Sequence, residues 1–146
     1  MKNKKCLGIF GLAGATLLLT GCGEKKLTCT KTAESEGLKM NEEIILYYKE
    51  DKISGGSFTA ELEVPEEYIE YIGDLKNEME EEYEDIKNIA DLTIDSKDNK
   101  VKVNISYKTK GLTEDELDEL YYGGLYAEVN LEETKKEYEE NEYTCK

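Results

Sequence analysis

Histidine, arginine and tryptophan are all missing from this chain of 146 residues, which has one proline and two phenylalanines. Each absence removes a chemistry. Without histidine there is no imidazole to act as general base, and without arginine there is no planar fork to clamp a phosphate. No Cys-x-x-Cys motif is present either, so neither a thiol redox pair nor a cysteine-rich metal site is written into the chain. Carboxylates, lysines and hydroxyls remain. A pair of carboxyl groups held at a set distance can hydrolyse a glycoside, but among 34 acidic residues such pairs arise by chance and nothing singles one out. Ser54-Gly55-Gly56-Ser57 lacks the G-x-S-x-G frame of a nucleophile elbow. The reading is therefore a non-catalytic chain with no cofactor.

Basic residues are also scarce: 19 lysines face 34 acids, a formal net charge of −15. The chain opens with Lys2, Lys4 and Lys5, an apolar run from Leu7 to Leu19, and small residues leading into Cys22. These are the three parts of a secretion signal. A spanning helix needs about 20 apolar residues, and this run ends at once in Glu24, Lys25 and Lys26. Leu19-Thr20-Gly21-Cys22 resembles the lipobox of bacterial lipoproteins. The resemblance implies cleavage before Cys22, a diacylglycerol on its thiol, and membrane lipid as the first partner of the mature protein. Residues 1–21 are then a cleaved signal peptide and residues 22–26 a lipidated tether, with the protein held on the extracytoplasmic face of the cell membrane. Loss of three lysines takes the formal charge from −15 to −18 over the 125 residues that remain. Such a body repels nucleic acid, whose binding needs Lys and Arg against phosphate, and anionic headgroups too. Lys25 and Lys26, beside the lipid, are the exception: they read either as leaflet contacts, each worth about 1 kcal/mol on an anionic leaflet, or equally as a plain solvated tether.

Of the four cysteines, Cys6 leaves with the signal and Cys22 takes the lipid, so Cys29 and Cys145 are left as a pair at the two ends of the body. In an oxidising exterior they are expected to form a disulfide.

One domain is expected over residues 27–146, since no Pro- or Ser-rich linker interrupts it. Residues 27–33, 44–48 and 58–64 carry strand chemistry, with Asp51-Lys52 and Ser54-Gly55-Gly56 as turn residues between the second and third. After Pro65 the period changes: Ile69, Ile72, Leu75, Met79, Tyr83 and Ile86 draw one apolar stripe on a long helix. Ala90, Leu92 and Ile94 alternate with polar residues, and after residues 96–100 so do Val101, Val103, Ile105 and Tyr107, which predicts a hairpin. Its outward face sets Asp91 and Asp95 near Lys102 and Lys108. Thr113-Glu114-Asp115-Glu116 reads as a capping box with Leu112 and Leu117 as its staple. That helix should run to about Tyr122 and stop at Gly123-Gly124, and Asn130 with Glu133 caps another. The fold class is α+β: an antiparallel sheet of about five strands, a long helix on one face and one or two short C-terminal helices.

The helix, the Asp85-Ile86-Lys87-Asn88-Ile89 exit, the Leu92-Thr93-Ile94-Asp95 strand and the Val101–Tyr107 strand together resemble the small YehR-like bacterial lipoproteins. The resemblance covers roughly residues 45–120. It implies an antiparallel sheet crossed by a helix, and it implies no catalytic residue.

Clustered carboxylates are what calcium takes as ligands, yet Glu78–Asp85 and Glu114–Glu119 fall on expected helices rather than tight turns, so they read as solvated faces. Eleven tyrosines are the main aromatic, several of them paired: Tyr47-Tyr48, Tyr68 with Tyr71, Tyr121-Tyr122. Most should pack at the edge of the core. Tyr121, Tyr122 and Tyr126 beside Gly123-Gly124 are the candidate interaction surface, because glycine permits close backbone approach. Two functions follow. One is an interaction module contacting another envelope protein through a tyrosine-bearing or acidic surface, which a flat exposed apolar patch would favour. The other is a small-ligand or cation-binding lipoprotein, which a concave pocket of tyrosines and convergent carboxylates would favour.

Overall fold

The structure is a computed structural model that describes residues 23–50, 52–122 and 130–146. Its strands are β1 (Glu24–Ser35), β2 (Leu38–Lys49), β3 (Lys52–Glu63), β4 (Ala90–Lys97), β5 (Lys100–Lys108) and β6 (Thr144–Cys145). Its helices are α1 (Ile72–Glu82), α2 (Glu114–Tyr122) and α3 (Leu131–Glu140). The six strands form a single antiparallel sheet in the order β4-β5-β3-β2-β1-β6. The α+β class is as expected. The strand count is six rather than five, because the two-residue β6 is too short to leave a pattern in the sequence.

Alternation sorts the strand residues onto two faces. Leu27 and Cys29 of β1, Ile44, Leu46 and Tyr48 of β2, and Val101, Val103, Ile105 and Tyr107 of β5 are buried on one of them. All three helices cover that face, with Ile72 of α1, Leu120 of α2 and Thr134 of α3 buried. The other face carries no helix among the described residues and is mostly polar, with Ile45 and Tyr47 as apolar positions of β2: Thr32 donates to Asn41 Oδ1 at 3.0 Å, and Thr59 to Asn104 Oδ1 at 3.4 Å.

Three expectations are corrected. Ser54-Gly55-Gly56 is not a turn but lies inside β3, where the register with β2 shifts between Tyr47 and Tyr48. A Cβ on Gly56 would stand 2.8 Å from the Tyr107 hydroxyl and 2.9 Å from the Ile45 carbonyl, so these glycines serve close strand packing. Ser54 holds the bulge by donating to Glu24 Oε1 at 2.8 Å and to the Tyr47 carbonyl at 3.1 Å. The chain reverses at Glu50 (φ 53°) instead, while Asp51 lies outside the described residues.

The long helix is divided. A 3₁₀ segment, Glu66–Tyr71, leads into α1, and another, Asp85–Asn88, follows it. Like charges three and four residues apart destabilise a helix, and α1 ends at Glu82 within its own acidic run. The stripe otherwise holds: Ile72 and Ile86 are buried and Leu75, Met79 and Tyr83 pack against the core, whereas Ile69 is exposed. The segment read as a tether also enters the sheet, since β1 begins at Glu24, opposite Lys49.

Several cues were sound. Thr113 and Glu116 form the capping box, with the Glu116 amide donating to Thr113 Oγ1 at 3.3 Å and the Thr113 amide to Glu116 Oε2 at 2.7 Å. Asn130 caps α3 by accepting from the Glu133 amide at 3.1 Å. Asp95 stands opposite Lys102 in the β4–β5 register, though the close ion pairs of β5 run to β3, from Lys100 to Glu61 (2.8 Å) and Glu63 (3.2 Å). Lys100 thereby holds the Glu63 carboxyl below its usual range.

Cys29 and Cys145 are bonded across β1 and β6, with 4.1 Å between their Cα atoms. Around the bond, Tyr138 and Tyr143 meet edge to face at 5.3 Å, and the Tyr143 hydroxyl donates to Glu42 Oε2 at 2.6 Å. Burial pushes the Tyr138 phenol up to about 12 from the usual 10. Burial first, then the Glu42 hydrogen bond, raises Tyr143 as well. A raised phenol pKa means that the fold favours the neutral form, so this stabilisation is complete below pH 10 and is lost as pH climbs towards about 12. Phenolate absorbance followed beside near-ultraviolet circular dichroism is expected to show a late class of tyrosines that ionises only as packing is lost. A single titration near pH 10 with the dichroism intact would contradict this account of the α3–β6 latch.

Candidate functional site

At the end of the sheet where β1 turns into β2, the reversal is made by Glu36 (φ 52°) and Gly37 (φ 83°), the two positive values of a type I′ turn. Glycine is needed at position 37, where a Cβ would also lie 3.1 Å from the Pro65 ring. Leu38 therefore emerges beside Val64 and the segment that follows Pro65. The β4–β5 turn fixes this corner from the other side: the Val64 amide donates to the Asn99 carbonyl and the Asn99 side chain to the Val64 carbonyl, both at 2.9 Å.

From that corner the 3₁₀ segment projects Tyr68 and Tyr71. Residues i and i+3 nearly eclipse in a 3₁₀ helix, and the two rings lie 6.5 Å apart at 49°. Together with Ile72, Leu75 and the aliphatic corner they enclose a groove of about 410 Å³. The exposed large hydrophobics among the described residues are Leu38 (39%), Tyr68 (48%), Ile69 (44%) and Tyr71 (54%), all of them at this corner. Glu36, Asp74 and Glu78 stand on its rim. None of these three has a lysine within ion-pairing distance among the described residues, in contrast to Glu61, Glu63 and Glu80, which pair with Lys100 or Lys76. The site thus offers apolar contact beneath uncompensated negative charge.

Two other hollows lie on the open face. A trough of about 750 Å³ at the opposite end is lined by Glu24, Tyr47, Lys87, Asp91 and Lys108 among others. A shallower one of about 330 Å³ is bounded by Thr30, Thr32, Asn41, Glu43 and Lys102. Both are wet surfaces of mixed charge. Among the described residues no three acidic or cysteine side chains converge to hold a metal ion, and no helix is long and apolar enough to cross a membrane.

The sequence pointed elsewhere. Tyr121 and Tyr122 end α2, but their side chains, with Tyr126 and Gly123-Gly124, lie outside the described residues. Cys22 lies outside them too. The Tyr68 and Tyr71 spacing was visible in the sequence, yet nothing there announced that Leu38 would join them.

Comparison with known proteins adds a fold. No protein-family profile and no curated protein matches this chain. A solved structure described as the NMR structure of the protein from Streptococcus pneumoniae TIGR4 aligns over 100% of this chain and 97% of its own, with TM-score 0.54 and 11% identity. At that identity the likeness is one of fold alone.

Proposed function

We propose that this chain is an extracytoplasmic lipoprotein, anchored through Cys22, whose domain is a non-catalytic interaction module for another envelope protein. The observation that carries the reading is the gathering of Leu38, Tyr68, Ile69 and Tyr71 at one corner under an acidic rim. Tyrosine gives large, stiff contact area with a polar tip and is enriched where interfaces carry their energy. Unpaired carboxylates around it select a partner segment bearing lysine or arginine. The anchor rests on the lipobox resemblance, and the YehR-like resemblance agrees with a small envelope lipoprotein without catalytic groups.

A second reading is a lipoprotein that binds a small cationic ligand, and the groove's concavity favours it, since about 410 Å³ falls in the range of small-molecule sites. A free amine on an apolar body would suit the same residues.

The anchored reading is tested by mass spectrometry of the protein extracted from its native membrane. The expected N-terminal peptide begins at Cys22 and carries a diacylglycerol, and a Cys22→Ser variant is expected to leave the membrane fraction. Wild-type protein recovered soluble with an unmodified Cys22 would overturn it.

A further inference from the structure

We infer that the domain rests its open sheet face, at the end where β1 begins, on anionic lipid headgroups. The inference builds on the anchored reading above. β1 starts at Glu24, so Gly23 alone separates Cys22 from the sheet, and the sheet's end must lie at the bilayer surface. The strand register then brings lysines that are remote in sequence to that end. Glu24 pairs with Lys49, Lys49 with Lys52, and Gly55 with Lys108. Alternation places Lys26, Lys49, Lys52 and Lys108 on the helix-free face, and all four are exposed.

Acids share this end too. Glu24 is engaged by Ser54, Glu50 and Asp91 stand beside the lysines, and Glu84 and Asp85 lie in the segment that enters β4 and borders the trough there. The acidic α2 stands on the opposite face, packed into the core through Leu120. The cleaved, anchored chain, at a formal −18, should be repelled by an anionic leaflet, yet screening confines that repulsion to about 10 Å. The 12-residue β1 carries Glu36 roughly 40 Å from the anchor, and Asp74 and Glu78 stand on the rim of the same groove, beyond the reach of the surface field. What the leaflet meets is the lysine end. The acidic groove then points outward, to where another envelope protein is accessible.

Lysine acetylation footprinting of the full lipidated protein tests this, with the protein reconstituted in phosphatidylglycerol or phosphatidylcholine vesicles and each site quantified by mass spectrometry. An anionic surface depletes the neutral amine, so Lys26, Lys49, Lys52 and Lys108 are expected to react about threefold more slowly on phosphatidylglycerol. Lys39 and Lys97, on the same face at the far end, should react equally on both. Equal rates at the four lysines, or protection at Lys39 and Lys97, would overturn the orientation while leaving the anchor intact. A Cys22 peptide without lipid mass in the same digest would overturn the anchored reading and the orientation with it.

Discussion

Replacing Cys29 and Cys145 together with alanine is expected to lower stability by roughly 3–5 kcal/mol, the range that chain-entropy arguments give for a closed loop of this length. The bond spans 116 residues, nearly the whole described body, and so restrains the unfolded chain about as strongly as one crosslink here can. The native side agrees. β6 is two residues long and cannot hold the edge of a sheet by its own ladder. Beyond the disulfide it is fixed by the reciprocal bonds between Thr28 and Lys146, at 3.0 and 2.8 Å, and by the Tyr138–Tyr143–Glu42 contacts. The melting temperature is expected to fall by about 15–20 °C, with amide exchange rising first in α3 and β6. A drop under about 5 °C would mean that the core on β1–β3 and β5 determines stability alone. The double variant is preferable to either single one, which would leave a free thiol at the sheet edge.

Much of this fold was legible in the sequence because each local signal has a local cause. Val101, Val103, Ile105 and Tyr107 alternate because one face of β5 is buried, and they are buried as the pattern requires. Thr113 and Glu116 satisfy each other's backbone amides within one turn, so their spacing sufficed. The misreadings share a cause, which is contact between parts distant in the chain. Ser54-Gly55-Gly56 has turn chemistry, and only the approach of Tyr107 and Ile45 shows why glycine belongs inside a strand there. The groove arises where the β1–β2 turn, the end of β3 and the 3₁₀ segment meet, and no window of sequence contains all three. The site's aromatic pair was therefore visible as a spacing, while its apolar and acidic surroundings were not.

Tyr68→Ala with Tyr71→Ala is expected to weaken binding of a basic partner segment by roughly 30- to 1,000-fold, two tyrosine anchors at about 1–2 kcal/mol each. Both rings are about half exposed, so the melting temperature should hardly move, which separates a binding loss from misfolding. Asp74→Asn with Glu78→Gln should act differently. Rim charges mainly steer association, so that variant is expected to slow the on-rate and flatten its dependence on salt while leaving dissociation nearly unchanged. Were the tyrosine variant to bind as wild type does, the corner would be an ordinary exposed apolar surface.

The most direct test is photo-cross-linking in the native membrane, with a photoreactive phenylalanine analogue in place of Tyr71 in the full lipidated protein and the same analogue in place of Thr30 on the open face as a control. The account predicts one envelope protein captured from position 71 and not from position 30, the adduct falling on a lysine- or arginine-bearing segment and declining in yield when Asp74→Asn and Glu78→Gln are added. Adducts no more frequent from position 71 than from position 30 would contradict the groove as the docking site.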